Sequence, residues 1–263
     1  MKVFFLGNCQ INAMRGLFRE HFPRLQADFL SITPHWGHFN AERAEELIAQ
    51  ADLVVAQAVT NPDTKFNAGE IEERSDYRAV FLPYVYLDGI AGLEMVSSKG
   101  QSLVRGGAEL LDDWADERPI DIYTAYCEGR IDLKNEDRLA RSFARIRAAE
   151  DAWCEVRISD YLEEQLNVAP LLYAINHPVQ HVLHEMFRRL CRLLDLSPDP
   201  ALFHDPVLFG RRALPPALRA LSPMDVDRLG LRYAADPHWY GDGHKLMTLA
   251  LKHLQMRGKA EAA

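Results

Sequence analysis

Residues 3–6 form an apolar run, Val-Phe-Phe-Leu, that stops at Gly7 and hands the chain to Asn8-Cys9-Gln10. Ile11, Met14, Leu17 and Phe18 then recur at helical spacing, so the segment reads as a buried strand, a sharp turn and an amphipathic helix. A strand that leads straight into a helix is the opening unit of a parallel α/β sheet, whose ligands gather outside the carboxyl ends of the strands. Gly7 lets the backbone turn and come close to a ligand. Cys9 falls in the first helical turn, where unpaired N–H groups and the positive end of the helix dipole favour a thiolate. The alternative is a small cysteine tucked behind an ordinary first strand.

The next ninety residues repeat the pattern. Ala27–Thr33 and Ala51–Val59 read as strands, with a helical segment over 40–50 between them, and Tyr77–Tyr86 reads as a fourth strand ended by Pro83. The expectation is a small parallel doubly wound sheet of SGNH or flavodoxin-like type in residues 1–90. A large helical part follows over 91–263, with 234–254 returning to the site. Gly89–Gly107 reads as a glycine-dotted connection, a lid or a linker, and helices are expected over Leu103–Trp114 and Asn135–Cys154. Ser159 reads as the cap of a helix through Leu166. His177 reads as the cap of a long helix whose first position is Pro178 and which runs to about Leu194.

Charge and composition exclude some classes. With 30 basic and 38 acidic residues and a net charge of −8, the chain does not read as a coat for nucleic acid or anionic membrane. The four cysteines are widely spaced with no CxxC pair, and no secretory leader is read before the first strand. The expectation is a reducing, cytoplasmic setting with free thiols, with room for peripheral association at the inner membrane. No apolar run approaches the roughly 20 residues that span a bilayer. His177, His181 and His184 share a helical face, but no carboxylate or cysteine stands at a ligand spacing, so no metal site is assigned.

A thiol nucleophile works with a histidine that takes its proton and is itself oriented by an acid or carbonyl. Asp236-Pro237-His238, just before the last helical segment, is one candidate. It resembles the closing Asp-x-x-His block of the SGNH hydrolases, one residue shorter and with Cys9 in place of serine. His177 is the second candidate, as a base kept neutral by a helix N-terminus or as a substrate contact. Gln57, in an apolar strand, must find hydrogen-bond partners, which suits a site role; the alternative is that it satisfies loop backbone.

Gly7-Asn8-Cys9-Gln10 after the first strand, Gln57 ending the third, Pro83-Tyr84, Ile158-Ser159 and Leu172-Tyr173-Ala174-Ile175-Asn176-His177-Pro178 together resemble the WcbI-type polysaccharide-biosynthesis family. That resemblance implies a mainly helical protein with a small α/β part that binds coenzyme A or acetyl-CoA and O-acetylates a sugar during capsule or surface-polysaccharide assembly. Asn8, Cys9, Gln10, Gln57, Asn176 and His177 carry over as motif positions. The chemistry agrees: helix N–H groups with the Asn8 or Gln57 amide can hold an oxyanion, and Gln10 and Asn176 are further polar contacts. Coenzyme A phosphates would need cations, and Arg15, Lys65, Arg105, Arg211 and Arg212 are those considered. Two other readings stand beside this one: an esterase or thioesterase using the same Cys9-His238-Asp236 set with water, and a non-catalytic coenzyme A or glycan-binding protein.

Overall fold

Lys2–Gly7 (β1), Gln26–Ser31 (β2), Leu53–Gln57 (β3) and Ala79–Leu82 (β4) pair in parallel in the order β2-β1-β3-β4. This is the strand order of the flavodoxin-like doubly wound sheet, with its switch point between β1 and β3. The structure, a computed structural model, describes residues 1–32, 40–61, 66–76, 78–90, 93–98, 101–114, 116–204, 218–220 and 223–232. The described chain divides into two compact units, residues 1–85, 145–162 and 178–214 forming one and residues 86–144, 163–177 and 215–263 the other.

In the first unit, alternation along β1 sends Phe4 and Leu6 to one face of the sheet and Phe5 to the other. Phe4 and Leu6 join a core with Leu47 and Ile48 of Ala41–Gln50 (α2), Ile71 of Ala68–Arg74 (α3), and Phe81. Phe5 meets Phe18 of Cys9–His21 (α1) edge to face, with ring centroids 5.4 Å apart. Ile11, Met14, Leu17 and Phe18 of α1 are all buried, as the helical spacing required. Each such side chain contributes about 1.5–3 kcal/mol on burial.

In the second unit, Leu93–Ser98 (β5) and Gln101–Gly106 (β6) form an antiparallel hairpin, which Leu218–Ala220 (β9) extends on the β5 side. This overturns two expectations. The stretch read as a lid or linker is largely strand, and the helix expected from Leu103 is β6 followed by a 3-10 helix over Ala108–Trp114. Among the described residues the remainder of the second half is mainly helical, as expected: Pro119–Cys127 (α4), Asn135–Trp153 (α5), Ser159–Gln165 (α6), Gln180–Leu193 (α7) and Pro223–Leu229 (α8). Helix α5 contributes residues to both units. Among the described residues, no helix is long and apolar enough to cross a membrane.

Two predicted caps are not what begins their helices. Leu172–Ala174 (β7) and His177–Pro178 (β8) form a two-stranded ribbon, and α7 begins two residues later at Gln180 with Val179 as its cap. The residue before a proline is pushed into extended backbone, so His177 is a strand residue and no helix dipole acts on it as a cap. At α6, the Ser159 hydroxyl donates to Glu150 and does not cap the helix.

Candidate functional site at the carboxyl ends of β1 and β3

Chain leaves β1 at Gly7 and enters α1 at Cys9, with Asn8 between them as the N-cap. The Gly7 carbonyl accepts from Ile32 at 3.0 Å, and the Asn8 side-chain oxygen accepts from the Gln10 backbone N–H at 2.9 Å. A methyl at Gly7 would overlap Ile11 Cγ1 and lie 3.2 Å from Gln57 Cβ, so only glycine lets the first turn of α1 sit this close to β1 and β3.

The Cys9 thiol is half-buried at that turn. Burial pushes its pKa up, opposed by hydrogen bonding from the backbone N–H of Gln10 and its own N–H. The sequence suggested the opposite direction. Loss of water outweighs the helix-end effect, so the group carries its proton at neutral pH and needs a base to become a nucleophile.

Gln57 ends β3 at the other side of the switch point and is 3% exposed. Its side-chain Nε2 has no hydrogen-bond partner among the described residues. A buried, unpaired amide donor costs about 1–3 kcal/mol, so its presence calls for a partner such as a water or a ligand. Beyond Gln57 the ladder ends with Ala58 donating to the Leu82 carbonyl at 2.9 Å. Pro83 then has no N–H to continue it.

Gln10 is fully buried, and its amide is spent on the backbone of Val85: Nε2 donates to the Val85 carbonyl at 2.8 Å, and the Val85 N–H donates to Oε1 at 3.2 Å. Asn8, Cys9, Gln10 and Gln57 are thus brought to one rim of the first unit. Asn176 and His177 lie in the second unit, in the β7–β8 ribbon, both half-buried.

Arg15 serves the junction of α1 with β2, Nε donating to the Ala27 carbonyl at 3.1 Å; Ala27 pairs with Val3, toward the end of β1 remote from Gly7. Burial pushes its guanidinium pKa down, as does neighbouring Arg19. Arg105 stands opposite Glu94 in the backbone register of the β5–β6 hairpin. Lys65, Arg211, Arg212, Asp236 and His238 lie outside the described residues. His181 and His184 each have a side-chain partner, Tyr161 Oη at 3.0 Å from His181 Nδ1 and Gln180 Nε2 at 2.8 Å from His184 Nε2.

One buried acid escaped the sequence reading. Glu150 looks like another charge on α5, but it follows Phe143 and Ile146 and precedes Trp153 at helical spacing, so it stands on the apolar stripe and is 3% exposed.

The sequence matches the family model of the polysaccharide biosynthesis enzyme WcbI over residues 111–199, a stretch that includes Ile158-Ser159 and Asn176-His177-Pro178. No curated protein matches the chain. Among solved structures, one of WcbI, described as a novel polysaccharide biosynthesis enzyme in native form without a disulfide bond between coenzyme A and a cysteine, has the same fold. It superposes with a TM-score of 0.58 at 14% identity, covering 95% of this chain and 98% of that one. The chain is therefore similar to the WcbI polysaccharide biosynthesis enzymes, in sequence across residues 111–199 and in fold along nearly its whole length.

Proposed function

We propose that this protein is an acyltransferase of polysaccharide biosynthesis that takes an acyl group, acetyl in the simplest case, from coenzyme A and passes it to a sugar hydroxyl. The observation that carries the reading is the buried Gln57 Nε2, without a partner among the described residues, on the same rim as the Cys9 turn. A thioester carbonyl gains negative charge on oxygen as it is attacked, and a preorganised N–H in a water-poor site stabilises that charge. The likeness to WcbI, whose solved structure is described in relation to coenzyme A and a cysteine, supports coenzyme A as the carrier.

In this reaction Cys9 loses its proton to a base and its sulfur attacks the thioester carbonyl. The carbon–sulfur bond to coenzyme A breaks, coenzyme A leaves as its thiol, and the acyl group rests on Cys9. The base, having given its proton to the leaving coenzyme A sulfur, then takes one from the sugar hydroxyl, whose oxygen attacks the acyl carbon. The carbon–oxygen bond of the sugar ester forms, the carbon–sulfur bond to Cys9 breaks, and the base returns the proton to the Cys9 sulfur. From the sequence we assign His238 as the base, with Asp236 as its acid and His177 as a sugar contact. The raised pKa of Cys9 makes this base necessary at neutral pH.

Coenzyme A release from acetyl-CoA, followed with a thiol reagent over a panel of sugars and nucleotide sugars, tests the reading. Sugar-dependent release that is lost in Cys9→Ala and His238→Ala supports it. Release of acetate at a rate indifferent to any sugar overturns it in favour of a thioesterase. Tight coenzyme A binding with no turnover overturns it in favour of a binding protein.

A further inference from the structure

Pro83 stops the β3–β4 ladder and among the described residues Val85 lies beside no paired strand, yet it is wholly buried and both of its backbone polar groups need partners. A side chain from 75 positions earlier supplies them. The Gln10 amide presents one donor and one acceptor to Val85, at 2.8 and 3.2 Å, in the manner of a neighbouring strand. The same residue's backbone N–H reaches Asn8 Oδ1 at 2.9 Å and also the Cys9 sulfur. Tyr84, between Pro83 and Val85, is half-buried beside this bond pair.

We propose that Gln10 is a positioning residue: it locks the Pro83–Val85 wall to the Cys9 turn, so that the thiol and the Tyr84 lip are held as one rigid rim. In its bearing on substrate this rests on the acyl-coenzyme A reading above; in its bearing on the thiol it does not. Only a carboxamide, or a protonated acid, both donates and accepts at this reach. Methionine fills the space and does neither, leaving the Val85 N–H and C=O unpaired in the interior.

Three proteins test this, the full chain and its Gln10→Met and Gln10→Glu variants. Site-resolved alkylation by iodoacetamide is followed by mass spectrometry across pH, with Cys127 as the internal control, and coenzyme A binding is measured by calorimetry. Loosening the wall lets water to the sulfur. Cys9 alkylation at pH 8 should rise about tenfold in both variants and its pH midpoint should move down toward that of an ordinary thiol, while coenzyme A affinity falls about tenfold. In Gln10→Glu both effects should shrink as pH falls and the acid gains the proton it can donate to Val85; in Gln10→Met they should not. A folded Gln10→Met protein whose Cys9 rate and midpoint match the parent overturns the proposal.

If the variants do not fold, amide exchange in the parent decides: the Val85 N–H should be protected as strongly as that of Phe5 in β1, the strand flanked on both sides, and rapid exchange there overturns the proposal. A parent that binds no coenzyme A would refute the acyl-transfer reading, while alkylation and exchange would still decide the role of Gln10.

Discussion

Glu150 and Ser159 meet inside the first unit, the carboxylate accepting the Ser159 N–H at 2.9 Å on one oxygen and the Ser159 hydroxyl at 2.5 Å on the other. The first oxygen also accepts the Ile158 N–H at 2.6 Å. An acid from the preceding helix thus does the work of an N-cap for α6, satisfying N–H groups that a helix start leaves unpaired. Glu150→Ala strands these donors and should cost about 3 kcal/mol in urea unfolding, with Glu150→Gln costing less because an amide oxygen still accepts.

Gly7 has no room for a side chain. Gly7→Ala would press a methyl into Ile11 and toward Gln57. It should lower stability by about 1–3 kcal/mol, and, because α1 must move, it should change the alkylation rate of Cys9 more than that of Cys127.

His21 ends α1 with both ring nitrogens buried and without partners among the described residues, against Phe187 at 5.0 Å and Phe203 at 4.6 Å. Burial pushes its pKa below 6.5; Asp199 opposes this and Arg188 reinforces it. The unfolded chain takes up this proton first as pH falls, so the native state should lose stability as pH drops below about 6.5 through the lower folded value. His21→Leu should flatten that loss in chemical denaturation series run from pH 7.5 to 5.

Cys154 and Cys191 are buried, and loss of water pushes both thiols up to about 12 from 9.0. Folded, they keep their protons while the unfolded chain gives them up, so stability should fall as pH rises from about 9 toward 12. Cys191→Ala should be less stable at pH 7 yet lose less between pH 9 and 11. In the native parent at pH 8, iodoacetamide should spare both thiols.

Gln57→Leu removes the donor that has no partner among the described residues. It should lower kcat for acyl transfer by about 10²–10³ while leaving the thermal midpoint unchanged or higher. A variant with full turnover would remove Gln57 from the reaction.

The first sheet was legible because its signals are local. An apolar run, a glycine and a period of 3.6 specify β1, the turn and α1 within twenty residues, and the same grammar marks β2, β3 and β4. The β5–β6 hairpin was not legible, because glycine-dotted segments of mixed polarity become strands by pairing with each other and with β9, more than a hundred residues away. His177 was misread as a cap because proline suits both the start of a helix and the edge of a ribbon, and local sequence does not choose between them.

For the site, the sequence by itself determined that a cysteine stands where a strand becomes a helix and that a glutamine closes a neighbouring strand. Those facts follow from short-range patterns of volume and polarity. Only the tertiary structure decided that Gln10 turns inward to Val85, that Gln57 keeps an N–H unanswered among the described residues, and that burial pushes the Cys9 thiol pKa up. Hydrogen-bond partners and water exclusion are set by segments that meet in space, and neither is encoded in the residues adjacent along the chain.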